Sequence, residues 1–198
     1  MNLPNRISLA RICMIPAFVL IFFLECVPFR FVIAAILFAI AACTDFIDGH
    51  IARSRGLVTN LGKFLDPIAD KVLVATAMIL LLTMKDTLFT LLGNAKDGAY
   101  VATTICTCVI LARELIISAF RQIAATNGIV MAAEKLGKYK TACQDVSIFV
   151  LIFAADFVGK AGLAMAIVGF SLFAVATILT IWSGIAYVLK NKHVLSDK

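Results

Sequence analysis

Long apolar runs, separated by short polar segments, dominate the chain. Each run is close to the roughly 20 residues that a helix needs to cross about 30 Å of hydrocarbon. The separating segments contain proline, glycine or charged residues. A short interfacial segment that begins at Pro4 is expected ahead of the first run. The runs predict six transmembrane helices, over residues 8–27, 31–52, 65–84, 98–121, 141–158 and 161–189.

The predicted fold is all-α, a polytopic membrane bundle formed by one domain over residues 1–198. The sequence shows no second domain, low-complexity tail or internal repeat, and the short connections favour a compact bundle. The first apolar run follows Arg6 and Arg11, as in a signal peptide, but no small-residue cleavage site comes after it. We therefore expect it to be a retained transmembrane helix.

Composition supports the membrane class. Hydrophobic residues make up 62% of the 198 residues and charged residues only 15%, whereas soluble domains average about 45–50% and about 25%. A chain this short cannot bury so many apolar side chains, because small domains leave a large share of their surface exposed. A soluble globular enzyme is excluded.

Basic residues are distributed unevenly between the two ends of the predicted helices. An even number of helices places both termini on one side, and 14 of the 18 Lys and Arg residues lie on that side. Cytoplasmic segments of membrane proteins carry such an excess of basic residues. We expect a multi-pass protein of the cytoplasmic membrane with both termini in the cytoplasm.

Four of the twelve acidic residues lie where the second predicted helix ends and the third begins. A charge at membrane depth costs about 2.5–3.5 kcal/mol near the centre and less near the interface, so such groups usually mark function. Steps of three and four residues place each pair on one helical face, and the two helices are antiparallel neighbours. The carboxylates are expected to converge just inside the cytoplasmic interface: Asp45, Asp48, Asp66 and Asp70.

Such a cluster needs compensating charge, because mutual repulsion would raise the pKa values of the carboxyls. Oxygen ligands suit Mg²⁺ or Mn²⁺, and two ions sharing the cluster would suit displacement at phosphorus. Arg53 beside the cluster favours an anionic phosphate ligand. Two other interpretations stay open on the residues alone: salt bridges at helix ends, and a divalent-cation transporter.

The spacing of these residues resembles the signature of the CDP-alcohol phosphotransferases at all eight specified positions. Members of this family are integral membrane enzymes with six transmembrane helices, commonly homodimers. They transfer a phosphatidyl or related phosphoryl group from a CDP-linked lipid to an alcohol and release CMP. The matching residues are Asp45-x₂-Asp48-Gly49-x₂-Ala52-Arg53-x₈-Gly62-x₃-Asp66-x₃-Asp70.

The resemblance implies a role for each matching position. Asp45, Asp48 and Asp66 would bind the metal ions, and Asp70 would serve both as a metal ligand and as the catalytic base. Glycine allows close backbone approach, and arginine offers a bidentate fork to phosphate. The residues implied to contact the CDP moiety are Gly49, Arg53 and Thr59, the last of which lies outside the strict signature.

Looser matches at residues 3–11, 112–115 and 135–141 resemble one branch of the family, the bacterial phosphatidylglycerophosphate synthases. Their acceptor, glycerol 3-phosphate, carries roughly two negative charges and needs cations in its pocket. Positive-inside charge alone also accounts for Lys138 and Lys140, and an inositol phosphate acceptor would need the same cations. The residues expected to bind the acceptor phosphate are Arg113, Arg121, Lys135 and Lys138.

The resemblance thus implies transfer of a phosphatidyl group from CDP-diacylglycerol to glycerol 3-phosphate, by a homodimer among bilayer lipids and with no nucleic-acid partner. The nearer alternative is a sister enzyme with another acceptor: inositol phosphate, inositol, serine or phosphatidylglycerol. The more distant alternative, a cation transporter, would show acidic residues near the midplane on several helices. Here they cluster at one end.

Overall fold

The protein is all-helical wherever its structure is described. A computed structural model describes the backbone of residues 3–54, 60–126 and 135–191 and the side chains of residues 7–44, 68–124 and 137–191. A 3₁₀ segment, Phe89–Ala95, precedes the fourth α-helix. The all-α class is confirmed, and the order of helices matches the prediction: α1 (Leu3–Phe23), α2 (Arg30–Ser54), α3 (Asn60–Thr83), α4 (Lys96–Thr126), α5 (Lys135–Ala154) and α6 (Gly159–Lys190).

All six helices begin before their apolar runs, and α1, α3 and α5 do so by five or six residues. The expected interfacial segment at the N-terminus is not separate, because α1 is continuous from Leu3. Pro4 lies in its first turn, where a missing N–H costs no intrahelical hydrogen bond. Helices α3 and α5 begin at Asn60 and Lys135, ahead of the predicted 65 and 141. Hydropathy marks the length of chain suited to hydrocarbon, and the helical backbone continues into polar residues beyond it.

Two described helical stretches are long and apolar enough to cross a membrane, Phe89–Ala124 and Gly159–Lys190. Two shorter apolar stretches are Ile7–Phe23 and Arg30–Thr44. Length and apolar composition in these helices support an integral membrane protein.

Aromatic side chains pack together at the end of the bundle away from the aspartate positions. There α1 packs on α2, and the rings of Phe22 and Phe31 meet edge to face with centroids 5.2 Å apart. Phe18 and Phe38 continue the contact one layer further in, with centroids 6.1 Å apart. Such aromatic pairs add attraction beyond the area they bury.

A carboxylate from the α5–α6 connection closes the start of α2. Asp156 Oδ2 accepts a hydrogen bond of 2.7 Å from the backbone N–H of Val32. The first N–H groups of a helix have no partner within the helix, and an anion near them is favoured by the helix dipole. This contact joins residues that are 124 positions apart in sequence.

Helices α5 and α6 pack closely through a glycine. A Cβ atom added at Gly169 would lie 2.7 Å from Cγ and Cδ2 of Leu151, which is closer than side-chain carbons approach. The missing side chain lets the two helices approach along this contact, as small residues do between membrane helices. The resulting pair carries Lys140 and Gln144 of α5 toward α3 and α4.

Candidate active site

The backbone places the four signature aspartates on two helices that contact each other. Asp45 and Asp48 lie three residues apart on α2, and Asp66 and Asp70 lie four residues apart on α3. Of the four, only Asp70 has a described side chain. The convergence of the carboxylates stays a prediction. Outside the described side chains lie Asp45, Asp48, Gly49, Arg53 and Asp66, and residue Thr59 lies outside the described backbone as well.

Asp70 lines a cavity of about 250 Å³ between α3, α4 and α5. Polar groups contribute one part of its wall: Asp70 and Lys71 from α3, Glu114 from α4, and Lys140 from α5. The rest is mainly apolar, from Val74, Ala75, Met78, Leu111 and Leu115. A cavity with an apolar floor and a few convergent polar groups is the usual form of a small-molecule site.

Two lysines line this cavity, and each is held by a partner on α4. The Lys71 ammonium donates a hydrogen bond to Ser118 Oγ. The Lys140 ammonium donates to Glu114 Oε1, and Lys140 is only 4% exposed. Burial of a lysine is rare without such a partner. The cavity therefore contains fixed cationic groups near the carboxylate of Asp70.

Glu114 also contacts the arginine beside it in sequence. Arg113 Nη1 lies 3.4 Å from Glu114 Oε1, and Arg113 Nη2 donates a hydrogen bond of 3.0 Å to Ser183 Oγ of α6. A Cβ atom at Gly184 would lie 3.1 Å from Arg113 Cγ and Nε, so this glycine makes room for the arginine. Position 113 thus lies at the contact between α4 and α6.

The structure does not gather the predicted phosphate-binding cations into one described pocket. Arg121 donates from Nε to the Tyr187 hydroxyl at 3.3 Å and lies over that ring, 5.3 Å from its centroid. Lys138 is exposed, and the side chain of Lys135 lies outside those described. Arg113 and Arg121 do share one side of α4, as their spacing indicates, and that side faces α6. Their binding of an acceptor phosphate stays a prediction.

A second buried cation of the described residues lies at the contact between α1 and the aspartate-bearing end of α2. Arg11 is 1% exposed, and its Nε donates a hydrogen bond of 3.4 Å to Thr44 Oγ1. Thr44 precedes Asp45 in α2. Counted in the sequence as one of many cytoplasmic basic residues, Arg11 is in the structure an interior residue that joins two helices.

Sequence reasoning missed the cavity role of three charged residues: Lys71, Glu114 as a link between helices, and Lys140. Lys140 lies 26 residues from Glu114, and no spacing rule relates positions on two different helices. One signal was available in the sequence: a lysine or glutamate in or beside an apolar run is costly to bury without a partner of opposite charge.

The donor set fits a hard divalent cation. All four candidate ligands are carboxylates, which suit Mg²⁺ or Mn²⁺ and provide no nitrogen or sulfur for zinc. Among the side chains that the structure describes, no group of three or more His, Cys, Asp or Glu forms a metal site. Asp70, the described member of the four, lines a cavity that also contains Lys71 and Lys140, as suits a site for anionic ligands.

Comparison with known proteins identifies the family. The model of the CDP-alcohol phosphatidyltransferase family matches residues 1–188, which is nearly the whole chain. The chain belongs to this family. Asp70, one of the signature positions found in the sequence, lies on α3 and lines the described cavity.

Curated relatives cover most or all of the chain. A Bacillus subtilis protein is 39% identical over 162 residues, 76% of each chain. A Rickettsia bellii protein is 36% identical over 186 residues, 94% of this chain and 93% of its own. An Escherichia coli K12 protein is 37% identical over 202 residues, 100% of this chain and 98% of its own. All three are named CDP-diacylglycerol–glycerol-3-phosphate 3-phosphatidyltransferase.

Proposed function

We propose that this protein transfers the phosphatidyl group of CDP-diacylglycerol to glycerol 3-phosphate, giving phosphatidylglycerophosphate and CMP in phospholipid biosynthesis. The observation that carries the choice of acceptor is full-length similarity, at 36–37% identity, to relatives named for this reaction. The cavity beside Asp70, with its two lysines, suits an acceptor that carries both hydroxyl groups and negative charge.

The chain acts as a six-helix membrane enzyme with both termini and the active site on the cytoplasmic side. Supporting this topology are the six helices in order and the concentration of basic residues at the aspartate end. A lipid substrate and a soluble acceptor can meet only at the membrane–water interface. In the proposed topology the aspartate positions lie at helix ends close to that interface. We propose that the enzyme is a homodimer in the cytoplasmic membrane.

The mechanism assigns the protein's own groups as follows. Arg53, Gly49 and Thr59 bind the CDP moiety of the lipid. Asp70 accepts the proton of the primary hydroxyl of glycerol 3-phosphate, and the hydroxyl oxygen forms a bond to the β-phosphorus of CDP-diacylglycerol. The bond between that phosphorus and the bridging oxygen breaks, and CMP leaves with the electron pair.

The carboxylates of Asp45, Asp48, Asp66 and Asp70 would hold two ions of Mg²⁺ or Mn²⁺. When bound, these ions supply compensation for the negative charge of the diphosphate. The acceptor phosphate is assigned to Arg113, Arg121, Lys135 and Lys138. Of these, Arg113 contacts Glu114 of the cavity wall, which supports its place in the acceptor site.

The test is a product assay with purified protein in detergent–lipid micelles. CDP-diacylglycerol is supplied with glycerol 3-phosphate, inositol phosphate, inositol, serine or phosphatidylglycerol in separate reactions, and the lipid product and CMP are both measured. We expect equimolar CMP and phosphatidylglycerophosphate with glycerol 3-phosphate. A lipid product from another acceptor, and none from glycerol 3-phosphate, would contradict the proposal.

A further inference from the structure

Glu114 contacts cationic groups from two helices. Its Oε1 atom accepts a hydrogen bond from the Lys140 ammonium of α5 and lies 3.4 Å from Arg113 Nη1. The side chains are largely withdrawn from solvent: Lys140 is 5% exposed, Arg113 17% and Glu114 26%. A charge-assisted hydrogen bond at such a site is stronger than one at an exposed surface.

This pairing fixes where the charge of Lys140 is located. A lysine ammonium is a compact, strongly hydrated charge on a flexible stem of four carbons, so an unheld lysine samples many positions. Glu114 and Lys140 both line the cavity that contains Asp70. The ammonium has three N–H donors, and its bond to Glu114 occupies one of them. Further donors of the same group can therefore serve a ligand in the cavity.

We propose that Glu114 is a positioning residue for the acceptor, because it holds the Lys140 ammonium in the cavity beside Asp70, where this cation contacts the phosphate-bearing alcohol. This inference rests on the proposed function and adds Lys140 to the residues that contact the acceptor. It also explains why a carboxylate lies in a pocket meant for an anion: removing Glu114 raises the positive charge of the pocket but releases the cation that must be held in place.

The test separates acceptor binding from CDP-lipid binding. For wild type, Glu114→Gln and Glu114→Asp, the KM of glycerol 3-phosphate, the KM of CDP-diacylglycerol and kcat are measured. We expect Glu114→Gln to raise the acceptor KM about tenfold, as for loss of a charge-assisted hydrogen bond. The KM of the CDP-lipid should stay within about twofold. Glu114→Asp keeps the charge on a stem shorter by one methylene and should recover part of the loss.

Coupling to Lys140 provides the decisive arm of the experiment. Lys140→Met alone should raise the acceptor KM, and addition of Glu114→Gln should raise it by less than about twofold more, since residues that act through one another are not additive. Additive effects of the two substitutions would overturn the proposal. The matched control is Glu25→Gln, which removes a carboxylate that is 88% exposed at the opposite end of the bundle and should leave both KM values unchanged.

If size-exclusion chromatography shows that Glu114→Gln does not fold, a second pair of variants tests the proposal. Glu114→Asp combined with Lys140→Arg pairs a shorter acid with a longer base. Restoration of the acceptor KM relative to Glu114→Asp alone would support the proposal, and absence of restoration would overturn it. A wild-type enzyme that makes no lipid product from glycerol 3-phosphate contradicts the proposed function. Normal wild-type turnover with an unchanged acceptor KM in Glu114→Gln contradicts only this inference.

Discussion

The two ends of the helix bundle use the same charged residue types in different ways. At the end away from the aspartate positions, ion pairs lie at the surface: Glu25 with Arg30 at 3.7 Å, Lys85 with Asp97 at 3.3 Å, and Lys96 with Asp86 at 2.8 Å. The carboxylates of these pairs are 83–88% exposed. Exposed pairs contribute little to stability, because water and salt screen them.

At the aspartate end, two charged side chains are buried and linked between helices. Arg11 is 1% exposed and Lys140 is 4% exposed, and their partners Thr44 and Glu114 lie on other helices. Burying a charge is costly, and hydrophobic replacements of buried ion pairs are often neutral or stabilising. The difference indicates that the aspartate end is organised for binding and chemistry, whereas apolar packing holds the other end together.

The largest expected contrast between the two ends comes from metal removal. Treatment with EDTA followed by dialysis should lower CMP release at least about 100-fold, since bound metal ions contribute several kcal/mol to such reactions. Mg²⁺ or Mn²⁺ should restore it. The measurement is CMP release by purified protein before chelation, after chelation and after metal addition. An unchanged rate of CMP release after chelation would contradict the proposal that the carboxylates hold catalytic metal ions.

Removal of a buried arginine, and of an arginine that belongs to a surface ion pair, should separate the ends by stability. Arg11→Ala should lower the free energy of unfolding by about 3 kcal/mol, because it removes a buried, hydrogen-bonded side chain and leaves a cavity where that side chain packed. Arg30→Ala, the matched control, should cost less than about 1 kcal/mol. Thermal unfolding in detergent measures both variants. Equal losses in the two variants would show that burial does not distinguish the ends.

Prediction from sequence succeeded for properties that depend on a single helix. Six helices in order follow from the apolar runs, and the shared side of Arg113 and Arg121 follows from their spacing on α4. The predicted first residues of α1, α3 and α5 were less accurate. Hydropathy does not report where the helical backbone begins, which is at Leu3, Asn60 and Lys135.

Contacts between helices were largely beyond sequence reasoning. The pairing of Glu114 with Lys140 depends on which faces of α4 and α5 point toward each other. Because each residue turns a helix by about 100°, a small difference in the orientation of either helix about its axis would separate the two side chains. That orientation is set by packing of the whole bundle, including the close approach at Gly169. The burial of Arg11 depends in the same way on how α1 packs against α2.

A smaller effect is expected from the helix cap at the non-aspartate end. Asp156→Ala removes the acceptor of the Val32 N–H and should lower the free energy of unfolding by about 1 kcal/mol, as for other lost caps. CMP release at a temperature well below unfolding should be unchanged. Loss of activity without loss of stability would connect this end to the chemistry and weaken the contrast.

The smallest effect is expected from the pair of Asp86 and Lys96. The hydrogen bond from Lys96 lowers the pKa of the Asp86 carboxyl below its ordinary value of 3.8. Its contribution to stability is therefore fully present above that value and is lost as the pH falls through the lowered folded-state pKa. Between about pH 6 and pH 8 this contribution is present but small, because water and salt screen an exposed pair, so the Tm of Asp86→Asn should lie within about 2 °C of wild type. A clear difference in Tm would contradict this.

The most direct test of the account compares two aspartate-to-asparagine substitutions from the two ends. CMP release is measured for Asp70→Asn, at the cavity, and for Asp86→Asn, at the exposed end, with folding checked by size-exclusion chromatography. We predict that Asp70→Asn loses about 10²–10⁴-fold in turnover, as expected for a general base, and that Asp86→Asn stays within about twofold of wild type. A folded Asp70→Asn protein with near-normal turnover would contradict the central claim that the carboxylate in this cavity performs the chemistry.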